Sequence, residues 1–391
     1  MQLLAFWFIL RCLSTLVVTV VSTIRPLTPI EKTVPLIPVT APLGQWLNRA
    51  ILSPWLRWDA VWFERIVTQG YSATDGTAPY HPLYPWLATP LKYLGISPVL
   101  SLLIISSLAG IAFLFIFYRL MKLELTPKEA FFGILLFTLV PVAFVLYAPY
   151  AEALFLLLAA LCIYWSRKKS WWLAGLAGGL AVLTRQQGII LLLPVALELW
   201  EDADRKIIVL IKKWKSWLAL GLIPMGMVVW LAYRAINLND IQANFSSFQS
   251  FIFSFVISPS TMQVISAQRF IWPWQAAYLA LTQLITHPDI DLWINMLTSS
   301  IFLLILALAW RNMRLSYKVY CLAITLVSFS YYTGPIHPYM GLPRHLLLAF
   351  PVFVSFVPIL NTAWKRILVI SLSTMGWFVL LIAYNLQAWV P

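Results

Sequence analysis

The sequence predicts an all-α polytopic membrane protein with about eleven transmembrane helices and interfacial helices in two long extracytoplasmic loops. Three observations predict it. The mean hydropathy is +0.83, well above that of a water-soluble domain. Apolar runs of roughly 18 or more residues recur, the length a helix needs to cross a bilayer. The basic residues fall in alternate short loops, as they do when loop charge sets topology.

The predicted spans are 3–23, 97–118, 130–147, 149–165, 171–184, 187–200, 217–236, 292–310, 319–334, 345–361 and 367–386, with ends good to about four residues. The third to sixth are short for a full crossing. The first resembles an uncleaved signal anchor, without a basic leading segment or a clear small-residue cleavage site. Sixteen basic residues occupy one set of short loops: Arg119, Lys122 and Lys128; Arg167, Lys168 and Lys169; Arg205, Lys206, Lys212, Lys213 and Lys215; Arg311, Arg314 and Lys318; Lys365 and Arg366. These loops are expected in the cytoplasm. The long loops, 24–96 and 237–291, then lie outside it, within a single domain spanning 1–391.

Composition excludes several classes. The net charge of +13 does not argue for nucleic acid, because the charge is spent on topology. Cys12, Cys162 and Cys321 all sit in apolar runs, so they form neither a disulfide framework nor a metal-ligand spacing. No phosphate-binding loop, dinucleotide fingerprint, zinc spacing or nucleophile elbow occurs. No nucleotide, cofactor or metal is called for by any motif, and a divalent ion is left open.

Chemistry-bearing residues concentrate in a few stretches. In "LRWDAVWFERIVTQGY" (56–71), a helix would place Asp59 on one face with Trp55, Trp62, Phe63 and Ile66. Glu64 would share a different, solvated edge with Arg57 and Thr68. A carboxylate on an apolar face is unfavourable unless something uses it. Asp59 is either a helix N-cap or a general base for a substrate hydroxyl. "APYHPLYPWLATP" (78–90) is a stiff aromatic loop with Tyr80, His81, Tyr84 and Trp86. Its aromatics suit sugar stacking or simple re-entry into the membrane, and His81 fits a structural hydrogen bond. "YAPYAEALF" (147–155) starts a span with Glu152, where the helix dipole favours a carboxylate. "LTRQQG" (183–188) interrupts an apolar run with Arg185, Gln186 and Gln187, as a functional arginine or a tight turn. In "GLPRHLLLAFP" (341–351), Arg344 and His345 open a proline-led helix, a ready phosphate site or a lipid-snorkelling anchor.

The ordered set "RWDAVWFERIVTQGY", "YHPLYP", "YAPYAEALF" and "LTRQQG", with the late "GLPRHLLLAFP", resembles the GPI mannosyltransferase 2 (PIG-V) family and its prokaryotic relatives. The resemblance implies a GT-C type membrane glycosyltransferase. Such an enzyme moves a sugar, here mannose, from a polyprenyl phosphate to an acceptor outside the cytoplasm, inverting the anomeric carbon. It maps the family's first-loop acid onto Asp59, the residue after "YAPYA" onto Glu152 and the basic turn onto Arg185. The chain lacks the long insertions of eukaryotic members, and its "YHPLYP" departs from their two aromatics before Pro-Leu. A bacterial plasma-membrane enzyme acting on another lipid or glycan acceptor is therefore expected. Asp59 is the expected catalytic base, and Arg344 and Arg185 the donor-phosphate ligands. Arg57, His81, Tyr84, Glu152, Gln186 and His345 are the expected pocket residues. The rivals are a lipid or lipid-linked-sugar flippase and a GT-C enzyme with another sugar or a protein acceptor.

Overall fold

The computed structural model describes residues 2–24, 51–239, 269–335 and 337–386. Helix α1 spans Gln2–Ile24. A 3-10 turn at Ser53–Trp55 leads into two short helices, α2 (Asp59–Gln69) and α3 (Leu83–Tyr93). Then come α4 (Pro98–Met121), α5 (Pro127–Leu139), α6 (Glu152–Arg167) and α7 (Trp171–Thr184). A 3-10 turn at Gln186–Leu191 runs into α8 (Leu192–Asp202), followed by α9 (Ile207–Lys212) and α10 (Trp214–Tyr233), which a π turn extends to Leu238. Strand β1 (Arg269–Phe270), α11 (Pro273–Thr286), α12 (Ile290–Ala309) and α13 (Leu315–Ser330) follow. Strand β2 (Tyr331–Tyr332), α14 (Leu342–Leu347), α15 (Val352–Phe356) and α16 (Ala363–Asn385) complete the described chain. The two strands pair antiparallel, Arg269 with Tyr332 and Phe270 with Tyr331, and form the one sheet among the described residues.

This is a helical integral membrane protein. Five of its described helices are long and apolar enough to cross a bilayer: Gln2–Ile24, Pro98–Met121, Trp214–Leu238, Ile290–Asn312 and Ala363–Asn385. The expected eleven are not all found as continuous spans. Span 130–147 stops at Leu139, because Val140 precedes Pro141 and takes an extended conformation (ψ 144°), as a residue before proline is driven to do. Span 345–361 is divided at Pro351 and Pro358 into α14, α15 and a 3-10 turn. Span 187–200 begins as 3-10 rather than α. Helices α7 and α13 are apolar but only 14 and 16 residues long, about 21 and 24 Å at 1.5 Å per residue.

Of the expected interfacial segments, the first loop supplies α2 and α3, each 11 residues. The stretch 245–262 of the second loop and the leading part of 43–67 lie outside the described residues. The "WPWQAAYLALTQLI" segment is helical within α11. Around α11 and α12 a small apolar cluster (Ile271, Ala276, Ala280, Leu284, Leu292, Tyr332, Tyr339, Leu342 and Leu346) seats α14, and with it Arg344.

Local chemistry explains the sharper boundaries. Thr126 and Glu129 cap α5 reciprocally, with Pro127 in the first turn, the capping-box arrangement. Ser97 caps α4 ahead of Pro98. Helices α7 and α10 approach until backbones touch. A Cβ at Gly175 would collide with the Ala219 carbonyl and one at Gly179 with the Leu222 carbonyl, the close contact that small residues four apart permit.

Helices α6 and α7 form a hairpin, so Glu152 and Arg185 share one end of the bundle and Arg167 lies at the other. At that other end Glu198 is buried and accepts from Arg314 through both oxygens, at 2.6 and 2.9 Å, and from Ser316 at 2.5 Å. Arg167 bonds Glu124 and Tyr317, and Arg314 also meets Glu201. The clamp ties α6, α8 and α13 together. Glu198→Ala takes the bidentate partner from the Arg314 guanidinium and leaves it Glu201. With that arginine one-third exposed, the loss is expected at about 2 kcal/mol, read as a lower Tm of the detergent-solubilised protein.

Candidate functional site

At the end opposite this clamp, four charged side chains from four elements converge. Glu152 begins α6, Arg185 follows the last residue of α7, Asp59 begins α2 and Arg344 lies in α14. Arg185 Nη1 donates to Glu152 Oε1 at 2.5 Å. Arg344 Nε stands 3.1 Å from the same oxygen, and its Nη1 is 2.7 Å from Asp59 Oδ2. The result is an unbroken chain, Asp59–Arg344–Glu152–Arg185, of two carboxylates and two guanidiniums. Arg344 also lies over the Tyr150 ring, 5.0 Å from its centre.

Glu152 is wholly buried and Arg344 nearly so, whereas the Asp59 side chain keeps a quarter of its exposure. The carboxylate at the solvent-facing end is thus the one a substrate could reach. Tyr80 donates to Asp59 Oδ1 at 3.3 Å. Burial first, and the Asp59 charge second, raise the Tyr80 phenol far above its ordinary value, so it stays protonated as a donor. The polar atoms are not fully spent on one another. Glu152 Oε2, Arg185 Nε, and Arg344 Nε and Nη1 are shielded from solvent without aligned hydrogen bonds among the described residues.

The backbone before Asp59 is strained. Trp58 has φ 50° and ψ −120°, a conformation that costs a bulky residue free energy and persists only where its surroundings impose it. The surroundings are visible. Tyr150 donates to the Arg57 carbonyl at 3.4 Å and Tyr384 to the Trp55 carbonyl at 3.3 Å, fastening this turn to the head of α6 and the end of α16. Gly188 serves the Arg185 turn, since a Cβ there would strike the Val182 backbone.

The structure brings Asp59, Glu152, Arg185 and Arg344 together and revises the other expected residues. Asp59 is not an N-cap, because Trp58 holds that position and no side chain caps the helix. Trp55 lies outside α2, so it is not part of the Asp59 face. Arg57 is not on a solvated edge: it precedes the helix and is buried, donating to the Pro54 carbonyl at 2.9 Å and packing over Tyr384. Tyr84 is fully buried, bonded to the Leu102 carbonyl at 3.0 Å and to Ser106 at 2.7 Å, so its hydroxyl is engaged inside the bundle. Gln186 points to the exposed side of its turn. His345 is buried with its ring 6.0 Å from Tyr331. Helix α14 is only six residues long, so Arg344 acts through its side chain more than through a helix dipole. Glu64 is the edge residue expected, accepting from Thr68 at 2.7 Å.

His81 packs 6.0 Å from Trp230. Burial above all pushes its imidazole down to about 4, against a hydrogen bond to the Val182 backbone and with help from the Arg185 and Arg234 charges. It is therefore neutral at physiological pH. Sequence reasoning named Tyr80 only as one aromatic of its loop and passed over Tyr150 and Tyr384, whose roles arise only from contact. It also passed over Arg11, a lone arginine within α1 that donates to the Tyr147 carbonyl and lies 5.3 Å from the Trp55 ring centre. A single charge in an apolar span was the available signal. Among the described residues, no three His, Cys, Asp or Glu side chains converge as a metal site requires.

The reassignment of Tyr84 can be checked directly. Tyr84→Phe should lower stability by about 1 kcal/mol, the net value of a buried hydrogen bond, measured by thermal unfolding in detergent. Substrate turnover below the transition should stay within twofold or so of wild type.

Comparison with known proteins extends the picture. Residues 78–233 match the family described as dolichyl-phosphate-mannose-protein mannosyltransferase. That segment includes Glu152 and Arg185 but not Asp59 or Arg344. The GPI mannosyltransferase 2 sequences from two strains of Cryptococcus neoformans var. neoformans serotype D are each 30% identical over 197 residues. The alignment covers 46% of this chain and 43% of theirs, so the chain spans less than half the length of the curated relatives it matches. The crystal structure of the oligosaccharyltransferase of Archaeoglobus fulgidus in its apo form aligns with 97% of this chain and 56% of its own, at a TM-score of 0.42 and 11% identity. The resemblance to the GPI mannosyltransferase 2 family carried by the motifs is therefore borne out over nearly half of the chain, with a mannosyltransferase family match in its central segment.

Proposed function

We propose that this protein is an inverting membrane glycosyltransferase of the GT-C type. It transfers a hexose, mannose by resemblance, from a polyprenyl-phosphate sugar to a lipid or glycan acceptor. The observation that carries the reading is the Asp59–Arg344–Glu152–Arg185 chain, a partly exposed carboxylate beside two arginines with unspent donors. A lipid-linked donor needs cationic groups for one phosphate and needs no nucleotide site. An inverting transfer needs one base on the acceptor side.

In the proposed step the acceptor hydroxyl oxygen attacks the anomeric carbon from the face opposite the phosphate. The new C–O bond forms as the bond to the phosphate oxygen breaks, and that electron pair leaves on the phosphate. The hydroxyl proton passes to Asp59. Arg344, turning from Asp59 towards the phosphate, and Arg185 stabilise the charge that develops on the leaving group. Tyr80 holds the Asp59 carboxylate in place. The basic loops support an extracytoplasmic site, because the charge cluster sits at the end of the bundle away from Arg167, Arg314 and Lys213. In a bacterium this is the outer face of the plasma membrane.

The direct test incubates purified protein with polyprenyl-phosphate sugars and a membrane lipid extract, and follows acceptor mass. A gain of one hexose supports the reading. Lipid movement with no covalent product would instead favour a transporter. Asp59→Asn should insert and fold normally yet lose roughly two or more orders of magnitude in transfer rate, the scale of a missing general base, while Glu64→Gln loses little. An active Asp59→Asn protein would remove Asp59 as the base. Arg344→Lys keeps charge without the bidentate fork and should retain partial activity, whereas Arg344→Ala should fail at limiting donor.

Sidedness has its own measurement. In a background lacking Cys12, Cys162 and Cys321, a cysteine at Asp75 should react with an impermeant thiol reagent added outside, and one at Lys213 should not. The reverse pattern would place the site on the cytoplasmic side and withdraw the lipid-linked donor.

A further inference from the structure

We propose that Glu152 is a positioning residue. It holds Arg185 and Arg344 together for one phosphate, and its charge keeps their grip weak enough to release the phosphate product. The inference rests on the donor reading above and goes beyond it. Glu152 acts on the reaction through the two arginines, not by touching the sugar.

Three observations point to it. A single oxygen, Oε1, serves both guanidiniums, at 2.5 Å to Arg185 and 3.1 Å to Arg344. These arginines reach it from elements far apart in sequence, so the carboxylate sets their spacing. The second oxygen, Oε2, has no hydrogen-bond partner among the described residues although it is shut off from solvent. A carboxylate serving only as a staple would spend both oxygens, as Glu198 does on Arg314 at the other end of the bundle. Finally, Arg185 Nε and Arg344 Nε are likewise left without aligned acceptors. The carboxylate holds the arginines without consuming their capacity for phosphate oxygens.

Charge supplies the reason. Two carboxylates balance two guanidiniums in the resting cluster, with Arg57 an additional positive charge behind Tyr384. A sugar phosphodiester brings about one negative charge, and the polyprenyl phosphate left after transfer carries up to about two, as phosphate monoesters do at neutral pH. Product is therefore attracted more strongly than donor. Without the Glu152 charge the same two arginines would hold the product tighter still, and release would slow. At separations of several Å, one unit of charge changes such binding by at least about tenfold.

The test measures hexose transfer with the full chain, donor KM, kcat and inhibition by polyprenyl phosphate, for wild type, Glu152→Gln and Glu152→Asp. Glu152→Gln is expected to bind polyprenyl phosphate at least about tenfold tighter, with donor KM lowered and kcat reduced by a similar factor. Glu152→Asp keeps the charge and should bind product like wild type while recovering part of kcat. Product binding that is unchanged or weaker in Glu152→Gln, with kcat and KM worsening together, makes Glu152 an ordinary buried staple and overturns the proposal. Should Glu152→Gln not accumulate, the double variant Glu152→Gln/Arg185→Gln restores the balance of charge. Its accumulation with wild-type product affinity supports the proposal, and its failure overturns it. If wild type itself ignores polyprenyl phosphate, the donor reading fails and takes this inference with it. If wild type is inhibited normally and Glu152→Gln is inhibited equally, this inference alone fails.

Discussion

One interaction organises the end of the bundle opposite the Glu198 clamp: the buried carboxylate of Glu152 shared between two arginines. Ionised groups removed from water are tolerated only when paired and hydrogen-bonded. Each member of the chain therefore depends on the others being in place. Glu152 needs the α6–α7 hairpin to meet Arg185, and the hairpin needs Gly175 and Gly179 so that α10 can close against α7. Arg344 needs α14 seated on the second apolar cluster. Asp59 needs the turn at Arg57 and Trp58, pinned by Tyr150 and Tyr384. The helices are thus arranged to bring four short polar motifs to one place.

The opposite end uses the same chemistry to another purpose. Glu198 and Arg314 make a bidentate pair at 2.6 and 2.9 Å, with Ser316 at 2.5 Å, and little acceptor capacity is left over. At the Glu152 end one oxygen serves both arginines and the donors are incompletely used. Both ends contain buried carboxylates and arginines. What separates a clamp from a candidate site is not the charge count but how completely the hydrogen-bonding capacity is consumed.

Much of this was legible in the sequence. Asp59, Glu152, Arg185 and Arg344 stood out because each interrupts an apolar context, where an ionisable side chain is unfavourable without a use. The long spans were legible from hydropathy, and 171–184 was placed residue for residue. Other features could not be read. Sequence spacing carries no sign that Arg344 meets Asp59, because the contact is made by tertiary packing between distant segments. Periodicity extended α2 back to Trp55 and put Arg57 on a wet edge, because it does not register the Trp58 turn that starts the helix at Asp59. Hydropathy ran through Pro141, Pro351 and Pro358, since composition averages over the residues that break a helix. Tyr84 looked like a sugar platform only while its partners in α4 were unknown.

The shortness of α6 has a consequence for how deep its two polar ends lie. The helix runs from Glu152 to Arg167 in 16 residues, about 24 Å at 1.5 Å per residue, and polar clusters stand at both of its ends. A bilayer's hydrocarbon layer is about 30 Å thick. Helix α6 is buried on almost every side by its neighbours, so the polar clusters at its two ends lie closer together than the faces of such a layer. Either the membrane thins around the bundle, or at least one cluster lies beneath the headgroup plane in a polar dent. On the proposed lipid-linked donor, the carrier's phosphate would have to descend relative to the undisturbed leaflet to meet a sunken cluster. Membrane thickness itself would then become a variable of substrate capture.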